Sequence, residues 1–167
     1  MVDTHRYWLD ASANPVEIAA VVTHRQIIAM DGEQSVTPAK VKAAIDSSEV
    51  GIVICRVDNW PCGYIAVRWL NPVCVKIAIG FLEPVRGWRA KQFVALFLDR
   101  LFKEGGVVKV TGEVGAWNLP CLRIAATMGF RREGVNTLSC LHEGHLHDQI
   151  YVGLTRRDWK DGKYLHR

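Results

Sequence analysis

The densest chemistry in the chain is a run of three cations, Arg86, Arg89 and Lys91, with Gly87, Trp88 and Ala90 between them. The apolar stripe that follows has helical spacing, so this run opens a long helix. Free backbone N–H groups at a helix start, with Arg and Lys beside them, suit a phosphate. Trp88 between two arginines also reads as an interface anchor for a partner. A second cluster, His142, His145 and His147, surrounds Glu143-Gly144 with Asp148 close by. Such residues can chelate a metal, but the spacing matches no strong zinc pattern, and a solvated hairpin tip explains them equally well. No metal site is expected. The five cysteines at 55, 62, 74, 121 and 140 are odd in number and contain no C-x-x-C pair. They predict neither a disulfide framework nor structural zinc; they read as small core residues in a reducing compartment.

The elements that must position these groups follow from periodicity. Thr4–Leu9 alternates as a first strand. Asn14-Pro15 caps one or two short helices within Val16–Met30, and Thr37-Pro38 opens another to about Ser47. Gly51–Val57, Cys62–Leu70 and Val73–Leu82 then read as an antiparallel meander with turns at Asp58-Asn59-Trp60-Pro61 and Asn71-Pro72. Ala90, Phe93, Val94, Phe97, Leu98 and Leu101 form the stripe of the long helix, which Gly105-Gly106 ends. Val107–Val114 is a strand, and Asn118 caps a helix through Met128 with Gly129 beyond it. Phe130–Leu141 and His147–Leu154 are strands joined by the Glu143-Gly144 turn, and Arg156–Lys160 adds a helical turn. This order predicts one α/β domain over 1–167, with a mostly antiparallel mixed sheet flanked by helices.

Composition narrows the function. The chain has 167 residues, 49% hydrophobic, with a net charge of +4. That mild basic balance suits an anionic small ligand. It does not suffice for nucleic acid, where one basic cluster with little aromatic interleaving is too small a footprint. No apolar run is long enough to span a bilayer, and no signal-peptide h-region follows the first residues, so a soluble, cytoplasmic protein is expected.

The stretch Asn118-Leu-Pro-Cys-Leu-Arg-Ile-Ala-Ala-Thr-Met-Gly-Phe130 resembles the N-x-x-S-x-x-x-x-x-x-x-G-F helix of the GNAT superfamily of acyl-CoA N-acyltransferases. The resemblance covers roughly residues 1–160. Arg131-Arg-Glu-Gly134, the Glu143-Gly144 turn and Asp148 resemble the branch that acetylates ribosomal-protein N-termini. The resemblance implies a strand, Val73–Leu82, splayed from its neighbour to admit the pantetheine arm, with backbone contacts from Phe81 and Leu82. It implies acetyl-CoA as donor and an amine, small molecule or protein N-terminus, as acceptor. It assigns cofactor binding to Arg86, Gly87, Trp88, Arg89, Ala90, Lys91 and Asn118, the base to Glu83, and a thiol donor or a packing role to Cys121. His24 and the hairpin histidines are acceptor-side candidates.

The chain departs from the family pattern at two places. The pyrophosphate loop of pattern Q/R-x-x-G-x-G/A carries Arg89 and Lys91 where small residues normally stand, and its approach, Pro84-Val85-Arg86, is one residue short. Either those cations turn onto the phosphates or they fill the cradle. Ala125 stands where the family often has a Tyr that protonates the leaving thiolate. These departures leave open a different class of function. In that reading a GNAT-fold protein without cofactor serves in binding or assembly, for example as a podovirus-type head-assembly or DNA-ejection virion protein with a protein partner.

Overall fold

A computed structural model describes residues 6–28 and 36–160. The start of the expected first strand and Ala29-Met30 of the helical region lie outside the described residues. Where the sequence places caps, helices begin. Asn14 Oδ1 accepts from Glu17 N at 2.9 Å to start α1 (Pro15–Val22), and Thr37 Oγ1 accepts from Lys40 N to start α3 (Pro38–Asp46). In both, proline fills a first-turn position whose N–H has no intrahelical acceptor. The short α2 (Arg25–Ile28) lies between them.

The strands are β1 (Tyr7–Asp10), β2 (Gly51–Val57), β3 (Trp60–Asn71), β4 (Cys74–Phe81), β5 (Lys109–Gly115), β6 (Arg131–His142) and β7 (His145–Thr155). They form one sheet in the order β1-β2-β3-β4-β5-β7-β6, antiparallel except for the β4–β5 pair. The meander forms as expected, with one correction. Trp60 and Pro61 belong to β3 rather than to the turn. Asp58, at φ 54°, reverses the chain so sharply that Val57 already pairs with Trp60. Pro61 is tolerated because the β2–β3 register shifts beside it, where a missing N–H is harmless.

Alternation decides what each face of the sheet covers. Cys55, Ile65, Val75 and Phe81 point to one side and pack under α4 (Trp88–Glu104), with Phe93 and Leu98 fully buried against them. Ile54 and Tyr64 point to the other side, under Ile18, Val22 and Val41 of α1 and α3. A buried ion cluster locks the first strand to this layer: Arg56 reaches Asp10 at 2.9 Å and Glu17 at 2.7 Å. Two further helices, α5 (Leu119–Thr127) and α6 (Arg156–Lys160), complete the layer that holds α4. Among the described residues no helix is long and apolar enough to cross a membrane.

All five cysteines are free thiols. Burial pushes the Cys62 thiol up to about 11 and raises Cys55 further, so both are packing residues. Cys74 and Cys121 are only half-buried.

Candidate functional site

On one flank β4 pairs with β3 along its length, from Gly63–Phe81 to Asn71–Cys74. On the other it pairs with β5 only at Cys74–Lys109, Val75–Val110 and Lys76–Thr111, after which the strands part. Leu82 N–H is committed to Cys62 O at 2.9 Å, so peptide groups at even positions point to β3. By alternation those of Ile77, Ile79 and Phe81 face the opening. Leu82, expected at a backbone contact, thus turns its N–H to β3, and the carbonyl of Phe81 already accepts from Arg86 Nε at 3.2 Å.

Two cavities fill this opening. One, about 280 Å³, is bounded by Ile77 of β4, Gly112 and Val114 of β5, and Ala125 of α5. The other, about 300 Å³, extends to Arg86, Gly87 and Ala90 at the start of α4. Ile79, Val94, Asn118, Cys121 and Ile124 border both, so the two adjoin within the opening.

The mouth of the cleft is the N-terminus of a 17-residue helix. Gly87 caps it at φ 81°, a conformation that suits glycine, and a Cβ there would meet nothing within 4 Å. The first-turn N–H groups lack intrahelical acceptors and carry the positive end of the helix dipole. Successive helical residues are rotated by about 100°. Ala90 and Val94 face the cleft, so Arg89 and Lys91 stand to either side of that line. Arg89 turns outward: its Nη1 donates to Pro84 O at 3.3 Å, and its guanidinium lies 5.6 Å from the centre of the Trp88 ring. Trp88, 53% exposed, packs toward Tyr7 on the outer side of the turn. Gly87 and Ala90 border the cleft at this helix start, and Arg89 and Lys91 are not among the residues that line it. The shortened approach is taken up by a single 3-10 turn, Glu83–Val85.

Arg86 braces this mouth, its Nη2 donating to Gln26 O at 2.8 Å. Glu83 is exposed at the same place. Its N–H donates to Gln26 Oε1 at 3.2 Å and its carboxylate accepts from Gln26 Nε2 at 3.4 Å. Ile79, Val94 and Cys121 border the cleft, whereas Glu83 sits outside the residues that do so. Asn118 and Cys121 come together as the helix motif implied: Asn118 Oδ1 accepts from Cys121 N at 3.2 Å, and both border the cleft.

A carboxylate overlooked in the sequence stands where β4 and β5 part, its side chain on the sheet face opposite α5. Glu113 of β5 stands just beyond the last β4–β5 pair, its Oε1 2.7 Å from Lys76 Nζ. The signal was available in Val107–Val114, where Glu113 is the one acid in an alternating inner strand. Trp117 also borders the cleft. A side chain on Gly115 would run into its ring, and its indole N–H is buried with no hydrogen-bond partner. His142 stacks against it (centroids 4.4 Å apart, planes at 10°), and His147 packs beside it at 5.1 Å with its ring tilted by 54°. His145 is exposed, and Asp148 Oδ1 accepts from Leu138 N at 2.8 Å to hold the β6 bulge. Among the described residues no three ligating side chains converge for a metal ion. His142 and His147 pack on Trp117 and are not themselves among the residues that line the cleft.

No family model matches the chain, and no curated protein sequence matches it. Solved structures do. Spermidine N-acetyltransferase from Vibrio cholerae, in complex with CoA and spermine, superposes with a TM-score of 0.79 at 14% identity, covering 92% of this chain and 98% of that one. RimJ from Mycobacterium smegmatis, in complex with CoA-disulfide, gives 0.72 at 14% identity over 95% and 90%. Ribosomal-protein-S5-alanine acetyltransferase from Vibrio fischeri gives 0.72 at 15% over 95% and 97%. At such identities the likeness speaks for architecture alone, and that architecture is the GNAT fold these acetyltransferases share.

Proposed function

We propose that the protein is an acyl-CoA-dependent N-acyltransferase acting on an amine by direct transfer. The observation that carries this reading is the cleft between β4 and β5, which ends at the open N-terminus of α4. Acyl-CoA, with acetyl-CoA the smallest donor, brings an activated thioester carbonyl. Gly87, Ala90 and the first N–H groups of α4 hold its diphosphate, with Arg86 at the rim. The peptide group of Ile79 and the N–H of Phe81, facing the opening, offer an extended arm the partners that β5 does not supply.

The chain's own residues handle the protons. An acceptor amine arrives as an ammonium and reacts only after losing a proton. Glu113 is the base in this reading, because its carboxylate already holds an ammonium, that of Lys76, where β4 and β5 part, on the face of the sheet opposite α5. An acceptor ammonium takes the place of Lys76 Nζ at Glu113 Oε1 and gives its proton there. Cys121, bordering both lengths of the cleft, is the group with a proton to return. The related folds are named for a polyamine and for a ribosomal-protein alanine, which supports an amine-bearing small molecule or a protein N-terminus as the acceptor class.

Titration with coenzyme A, followed by calorimetry and thermal unfolding, tests the reading. Ligand at a hundred times its Kd adds about 2.7 kcal/mol to the stability. No shift at millimolar coenzyme A would remove the enzymatic reading and leave a binding or assembly protein.

A further inference from the structure

We propose that the inner end of the cleft is an acyl-chain pocket, made for a donor longer than acetyl; the proposal rests on the acyl-CoA reading and sharpens it. The outer cavity alone runs from the α4 N-terminus to the neck at Ile79, Asn118 and Cys121, the course the resemblance gives the pantetheine arm. Beyond that neck lie about 280 Å³ more. An apolar cavity of only ~150 Å³ is enough to bind benzene.

The walls of this inner space on the α5 side are apolar. Ala125 stands on α5, Ile77 on β4 and Val114 on β5, and Met128, Phe130 and Val152 close the end. Met128 is 1% exposed and Val152 7%, so these two walls belong to the buried interior. An independent sign comes from α5 itself. It carries Cys121, Leu122, Ile124 and Ala125, yet none of its residues is fully buried. An amphipathic helix normally buries such a face against the core; here part of that face looks onto the cavity. The polar members of the same space, Lys76, Glu113 and Gln149, alternate with the inward-facing Ile77, Val114 and Ile150 and so point to the opposite side of the sheet. Proton handling and chain binding are thus on different faces, and a hydrocarbon tail lies against Ala125 without meeting a charge.

The test is a binding series on the whole chain: coenzyme A, acetyl-CoA, butanoyl-CoA and hexanoyl-CoA, each by calorimetry. Burial of a methylene strengthens binding by up to about fourfold, and hexanoyl-CoA is expected to bind at least tenfold tighter than acetyl-CoA. In Ala125→Leu, and in the milder Ala125→Val should the first not fold, the hexanoyl-to-acetyl ratio falls toward one. A flat or falling series with coenzyme A still bound overturns the chain pocket and leaves the acyl-CoA reading in place. A rising series that neither variant flattens places the tail elsewhere and overturns it as well. Failure of all four ligands to bind removes the acyl-CoA reading and the pocket with it.

Discussion

The two flanks of β4 obey different rules although they share one backbone. Toward β3, Gly63 and Gly80 keep the pairing close: a Cβ on Gly63 would meet the Gly80 carbonyl and the Phe81 ring, and one on Gly80 would meet Tyr64 and Ile27. Toward β5, three pairs are made and the rest are withheld. The closed flank gives stability and the open flank gives a place for a ligand. Peptide groups in a protein interior need partners, and beyond Lys76–Thr111 those of β4 on this flank do not find them in β5.

Phe93 belongs to the closed side, where it is fully buried against Phe81 and Tyr7. Phe93→Ala is expected to lower the unfolding free energy by about 3–5 kcal/mol in chemical denaturation. Glu113 belongs to the open side. Glu113→Gln should reduce turnover by ~10²–10⁴-fold while coenzyme A titration changes little. Glu83→Gln is the paired measurement: if it, and not Glu113→Gln, abolishes turnover, the base lies on the approach to α4.

Acid should find the closed side first. The hydrogen bonds from Ser12, together with the Arg56 guanidinium, hold the Asp10 carboxyl below the usual aspartate range. A lowered carboxyl stabilises the fold above its ordinary value, and that contribution disappears as pH falls through the lowered one. Asp10→Asn should therefore flatten the acid limb of a stability–pH profile below about pH 4. The smallest effect is expected where the flanks diverge. The Lys76–Glu113 pair is partly exposed, so Lys76→Met should change stability by about 1 kcal/mol or less in thermal unfolding. A larger loss would mean that the pair holds the strands at their branch point.

Much of this architecture was legible because local signals agreed with one another. Asn14-Pro15, Thr37-Pro38 and Asn118 each cap a helix where their side chains predict it. Gly51–Val57 alternates and is a strand over those residues. The Glu143-Gly144 turn forms with both residues at positive φ. Trp60-Pro61 misled because proline near Asp58-Asn59 imitates a longer turn, and only the register shift in β2 explains its place in a strand. The site was less legible. A linear motif counts positions, whereas a helix distributes them by angle. Arg89 and Lys91 fall on glycine positions of the family pattern, yet Gly87 and Ala90 are the residues that border the cleft. Glu113 escaped notice because one strand's alternation does not reveal that its neighbour has parted from it.

Gln26 links a distant part of the chain to the mouth of the cleft. Through its carbonyl it takes Arg86, and through its amide it grips the backbone and carboxylate of Glu83. The short helix α2 is thereby moored to the rim, and an anion settling there stiffens it as well. Slower amide exchange along α2 when coenzyme A is added is the mechanical echo this mooring requires.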